Sequence, residues 1–280
     1  MRRLSIILGL VCVCVLNCHG QNDPLTLAKM IFARETFTDL DKHVTGEYKG
    51  RPNGTDLPKN VTTNFELLDE TNTTAVVAMT IVDSAGNAFD TYLHFVNEDV
   101  WKVTALRALA VTGIYSEIIA RYEKMTQAQR DSLDVLQKKM AKEIPGYSYK
   151  PNSMEWTFKN AKLLLSSDKD LIDYFKINKQ KFEVLRDALL MKGFLQSSKS
   201  LAEFDASNTI QPQLDDLLID NVGRAGSGSS KNLEFIIGGM VDNSVGYFYL
   251  KDKKNKPFMS TNGYIMIREI GNGWYLFKTT

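Results

Sequence analysis

Polar and apolar residues alternate most regularly between Ala88 and Ala110. Phe89, Thr91, Leu93 and Phe95 fall on one parity and Asp90, Tyr92 and His94 on the other, the period of a β-strand. After Asn97-Glu98-Asp99 the alternation resumes at Trp101, so the stretch predicts a hairpin with a three-residue turn. With Val96 and Val100 as the last pair, Phe95 faces Trp101, Leu93 faces Val103, Thr91 faces Ala105 and Phe89 faces Arg107. This register predicts a core face of Phe89, Leu93, Phe95, Trp101 and Val103. Its other face, with Asp90, Tyr92, His94, Lys102 and Thr104, is expected to meet water.

Upstream, Leu27, Met30, Ile31, Ala33 and Phe37 recur at helical spacing and predict a helix over residues 24–40. A short strand-like piece follows at 43–49, then a loop with two prolines, then strands at 64–68 and 74–82. Downstream the period becomes helical. Ile114, Ile118 and Tyr122 share a face, Thr126 and Gln129 match a capping box, and Leu133, Leu136 and Met140 continue as a core stripe up to Pro145-Gly146. Ser167 and Asp170 suggest another cap, and Asn178 could open a further helix that Gly193 stops. Residues 223–230 read as a flexible Gly/Ser loop; it is no phosphate loop, because Ser230 precedes Lys231 and Asn232 stands where Ser or Thr is needed. Strands return at 232–236 and 245–250, and a second Trp hairpin closes the chain over 264–280, around Gly271-Asn272-Gly273 and Trp274. That turn allows a two- or a three-residue loop.

The N-terminus changes the compartment. Arg2-Arg3 and a 13-residue apolar run from Leu4 to Leu16 read as a secretory signal peptide over 1–20, too short for a membrane span. Two processing readings stay open: lipidation of Cys18 after Val15-Leu16-Asn17, and simple cleavage before Gln21, slightly favoured. All three cysteines lie at or before position 18, so a mature body has neither disulfide nor thiolate chemistry. That absence points to a bacterial envelope protein, while Asn53-Gly54-Thr55, Asn60-Val61-Thr62 and Asn72-Thr73-Thr74, which match glycosylation triplets, pull the other way. The formal charge of +1 becomes −1 without Arg2 and Arg3, which leaves no basic field for nucleic acid or an anionic membrane.

The two Trp hairpins and the strands before them echo one another, Asn64-Phe65-Glu66-Leu67-Leu68 beside Asn232-Leu233-Glu234-Phe235-Ile236. This predicts a diverged duplication in an α+β chain. A first helix-plus-curved-antiparallel-sheet unit would span 21–112, and 113–280 would hold a helical segment and a second unit. The N-terminal helix, the strand with Ala75, Val76 and Val77, the strand from Phe89 to Phe95 and the Trp101-Lys102-Val103 return resemble the cystatin-like cone of the nuclear transport factor 2-like superfamily. The resemblance covers 24–112 and, more loosely, 150–280. It implies helices on the concave face of a curved sheet, and no particular chemistry, since enzymes, carriers and accessory proteins share the fold.

No metal signature, nucleophile elbow or dinucleotide turn is present, so no catalytic residue, metal ligand or cofactor is expected. Asp90, Tyr92 and His94 share a strand face, but roughly 13 Å separates the first from the last at ~3.3 Å per residue, too far for a direct hydrogen bond. Arg107 is out of place on the apolar parity: it either snorkels or, with Thr91, lines the mouth of a cone pocket. In the last hairpin both parities are apolar, one of them interrupted by Arg268 and Lys278. Trp274 and Leu276 are therefore candidate docking residues for a protein partner or a second copy, unless local helices bury them. The expected function is that of an exported, non-catalytic binding or accessory module, secreted, periplasmic or outer-membrane-anchored, touching membrane only through an N-terminal lipid. The alternative is an enzyme or small-ligand carrier with a cone-shaped pocket.

Overall fold

A computed structural model describes residues 23–110, 112–144, 153–205, 207–225, 232–240 and 242–280. The leader, Cys18 and the Pro145-Gly146 stop lie outside the described residues. The chain is α+β with two antiparallel sheets.

Helix α1 (Pro24–Ile31) opens with Asp23 accepting the Thr26 amide at 2.9 Å and Pro24 in its first turn. It ends earlier than its apolar spacing predicts. Gly54 crosses its exit so closely that a β-carbon there would lie 1.8 Å from the Ala33 carbonyl oxygen. The first sheet follows as a plain meander, β1 (Thr62–Glu70), β2 (Thr74–Val82), β3 (Ala88–Asn97) and β4 (Trp101–Arg107), in the order β1-β2-β3-β4. Leu27, Ile31 and Phe32 pack on one face of it, against Val77, Leu93, Phe95 and Val103. The expected strand at 43–49 is reduced to a single bridge, Val44 to Val103.

The β3–β4 turn has the predicted three residues but lies one position later, as Glu98-Asp99-Val100, with Asn97 paired to Trp101 and Asp99 at φ 90°. Beyond Phe95–Val103 a bulge leaves Thr104 unpaired, and the ladder resumes with His94–Ala105, Leu93–Leu106 and Tyr92–Arg107. A distant segment holds the bulge in place: the Glu47 and Tyr48 amides both donate to the Thr104 carbonyl at 2.9 Å. The extra residue moves Arg107 off the face of Leu93 and onto that of Tyr92 and His94. Leu93, Phe95, Trp101 and Val103 are buried as expected, whereas Phe89, near the strand's start, is 46% exposed. The face expected to meet water is largely covered: Asp90, Tyr92 and His94 are buried against the rest of the chain, while Lys102 and Thr104 are half-buried.

The helical segment comprises α2 (Thr112–Lys124), α3 (Gln127–Glu143), α4 (Ser153–Leu164), α5 (Asp168–Met191), α6 (Leu201–Phe204) and α7 (Gln211–Asp216). The Thr126/Gln129 capping box forms, and Ser167 caps α5 through the Asp170 amide. Asn178 starts no helix: α5 runs unbroken past it, and its amide donates to Tyr174 O at 3.0 Å. Gly193 stops α5 with φ 75°. The stripe on α3 is not core, since no residue of that helix is buried.

The second sheet contains β5 (Asn221–Ala225), β6 (Asn232–Met240), β7 (Asn243–Tyr249), β8 (Tyr264–Gly271) and β9 (Trp274–Thr279), in the order β5-β6-β7-β9-β8. Gly223, expected in the loop, belongs to β5. The order overturns the duplication, which required β8 beside β7 as β3 stands beside β2. The connections explain the difference. The chain from β2 to β3 turns tightly, with Asp83 accepting the Ala85 and Asn87 amides at 2.8 Å, so those strands must pair. The long connection over 250–263 carries the chain past one position, and β9 then fills it. The last turn takes the two-residue form, Asn272-Gly273 at φ 55° and 81° between paired Gly271 and Trp274.

Phe175, Phe182, Leu185 and Leu189 of α5 pack on Phe235, Tyr247, Trp274 and Leu276, and this core continues onto Val76, Ala78 and Tyr92 of the first sheet. The opposite face of the second sheet carries Phe248, Ile267, Tyr275 and Phe277, packed against Met259 of the 250–263 connection. Among the described residues, no helix is long and apolar enough to cross a membrane.

Candidate functional site

Two groups of charged side chains lie where the sheets meet. The first is saturated with partners, and its Glu66, Thr80, Asp90, Asp168 and Arg268 also line a cleft of about 680 Å³. Asp168, in the first turn of α5, is 3% exposed, and its carboxylate accepts from Tyr92 Oη at 2.7 Å, Lys278 Nζ at 2.8 Å and Arg268 Nε at 2.8 Å. Its own amide donates to Asp90 Oδ2 at 2.6 Å, and Thr80 Oγ1 donates to Asp90 Oδ1 at 2.5 Å. Arg268 also reaches Glu66 on β1. Burial alone would raise the Asp168 carboxyl, but Lys278 and Arg268 hold it below the usual carboxylate range. Burial, with Asp168 and Asp90 nearby, pushes the Tyr92 phenol well up, so it stays a donor. Each of these groups has a hydrogen-bonded or ionic partner, and the set joins β1, β2, β3, α5, β8 and β9. Such a group is a fastener rather than a reactive centre.

The second group is open. A cleft of about 860 Å³ runs between the end of β4 and the face of the second sheet turned away from α5. From the first sheet's side come Arg107 and Glu47, and from the second Glu234, Asp242, Tyr264 and Phe277, with Ser244, Thr261 and Thr279 as hydroxyls. Arg107 donates to Glu47 at 2.7 Å and to the Thr261 carbonyl at 2.9 Å. Tyr264 on β8 reaches across β9 and β7 to donate its hydroxyl to Glu234 on β6. The ring passes edge-on to Phe248 and Phe277, with centroids 6.0 and 5.6 Å away. Burial raises the Glu234 carboxyl, and the Tyr264 hydrogen bond only partly offsets it. Burial and the Glu234 charge in turn raise the Tyr264 phenol.

Behind Arg107 lies His94, 5% exposed, with no partner at Nε2. Burial and the adjacent Arg107 guanidinium depress it to about 4, despite a hydrogen bond with the Ile265 backbone.

The candidate residues separate. Arg107 is at the cleft, held there by the bulge. Thr91 is not: its hydroxyl donates to Met79 O at 3.3 Å on the buried face toward α1, so no single pocket holds both. Trp274 and Leu276 are fully buried under α5, with the Trp274 ring 5.0 Å from Phe175 and 5.1 Å from Phe235, so they form no docking face. Arg268 and Lys278, which broke an apolar parity, belong to the fastener. That break was the signal for buried counter-charges, but Asp168, a hundred residues upstream of Arg268, could not be matched to them from sequence. Glu234 and Tyr264 gave no signal at all, because their meeting depends on the strand order. Among the described residues no three His, Cys, Asp or Glu side chains are grouped to hold a metal ion. The chain matches no family model, no curated protein and no solved structure.

Proposed function

We propose that this protein is an exported, non-catalytic binding module whose ligand site is the cleft between the two sheets. One observation carries the reading: ionisable and hydroxyl groups from both sheets converge on an open cleft of about 860 Å³, a volume within the usual range of ligand sites. The interior of each sheet is filled by its own side chains, as a cone used for packing rather than for a pocket would be. Export rests on the Arg2-Arg3 leader, and the likeness of the first unit to the nuclear transport factor 2-like cone rests on α1 covering one face of β1–β4. The raised carboxyl of Glu234 favours a second reading, proton transfer to or from a bound substrate, in which Tyr264 would orient the acid.

The test is a ligand-observed NMR screen of small polar fragments against residues 21–280. Binders should be displaced or lost when the cleft is blocked by Ser244→Trp, with the melting temperature unchanged. Binders that all survive Ser244→Trp would place the site elsewhere and overturn the proposal.

A further inference from the structure

Taking the cleft as the binding site, we infer that its ligand is a small organic cation, a primary or secondary ammonium. The argument is a charge balance. Four charged side chains line the cleft: Arg107, Glu47, Glu234 and Asp242. The single cation among them is already neutralised, because Arg107 is clasped by Glu47 and the Thr261 carbonyl, and its side chain is only 18% exposed. The Asp242 carboxylate forms no ion pair or hydrogen bond among the described residues, although its backbone carbonyl accepts from Thr279. Glu234 accepts from Tyr264 through one oxygen and leaves the other without a partner. Two carboxylates thus remain uncompensated, beside two aromatic rings and several hydroxyl acceptors.

An anionic ligand would meet both carboxylates with no free guanidinium or ammonium among the described residues to receive it. A neutral polyol would leave the half-buried Glu234 carboxylate without a counter-charge. An ammonium group donates to the free oxygen of Glu234, and its alkyl carbons pack beside Tyr264 and Phe277 of the cleft wall. Asp242, at the rim of the same cleft, offers a second carboxylate to a second cationic group on the same molecule, as in a diamine. Binding should then strengthen as pH rises through the raised titration of Glu234, since only the carboxylate pairs with the cation. The groups facing it are Tyr264 from β8, Asp242 at the start of β7, and the neutralised Arg107–Glu47 pair.

Isothermal titration of residues 21–280 with putrescine, and with 1,4-butanediol as the uncharged counterpart, tests this. Putrescine should bind and the diol should be about tenfold weaker or silent. Glu234→Gln should weaken putrescine about tenfold and remove the pH dependence. The exposed Asp242→Asn, which leaves the fold untouched, should weaken it by a smaller factor, about threefold. Equal affinity for diamine and diol, or unchanged affinity in both variants, would overturn the ligand class. If other polar fragments still bind in a manner that Ser244→Trp blocks, the cleft stands and only the cation is wrong. If nothing binds there, both readings fall.

Discussion

The charges around Asp168 and those around Glu234 are made of the same residue types, and both line clefts where the two sheets meet. They differ in saturation. Asp168 accepts from Tyr92, Lys278 and Arg268, and its own amide serves Asp90. Glu234 has one hydrogen bond and open space beside it. A buried charge is tolerated only when its partners replace the water it has lost, so the saturated group serves to hold the structure together. A charge left short of partners at the wall of a cleft costs stability and is free to bind. Position at the junction therefore does not distinguish function from structure; the count of partners does.

Mutation of the two groups should separate them widely. Asp168→Ala leaves Lys278 and Arg268 facing each other, with Lys278 still within reach only of Asp90 at 4.0 Å. It should cost about 3–5 kcal/mol, read as a shift in the urea midpoint. A loss under 1 kcal/mol would show that the fastener does not fasten.

Acid offers a second, smaller distinction. The folded titration of His94, about 4, lies below its ordinary 6.5, so its contribution is fully present above pH 6.5 and is lost as pH falls toward 4. Asp168, also depressed, should hold its contribution down to its ordinary carboxylate range and lose it only below. Stability should thus fall in two steps, the first amounting to a few kcal/mol and absent in His94→Leu. A single step near pH 4 that is the same in both proteins would contradict the burial of a neutral His94.

The smallest effect belongs to the cleft. Glu234→Gln keeps the hydrogen bond with Tyr264 and removes a carboxylate whose charged form burial opposes, so stability near neutral pH should stay within about 0.5 kcal/mol or rise slightly. A loss comparable to that of Asp168→Ala would make Glu234 part of the scaffold and erase the contrast.

The sequence by itself determined what depends on neighbours along the chain. The strands at 74–82 and 88–96, the helix caps at Thr126 and Ser167, the stop at Gly193 and the burial of Leu93, Phe95, Trp101 and Val103 follow from period, caps and turn residues. Period 2 shows that two faces exist, but not what covers each. The row of Asp90, Tyr92 and His94 therefore reads as solvated, whereas α5 and β8–β9 cover it. Only the tertiary structure decided the rest. The bulge at Thr104 exists because the Glu47 and Tyr48 amides arrive from outside the hairpin, and it alone turns Arg107 toward the cleft. The insertion of β9 beside β7 removed the apparent repeat and set Lys278 near Asp168 and Tyr264 on Glu234. Each of these joins segments far apart in sequence, and a local pattern carries no record of which distant partner closes the contact.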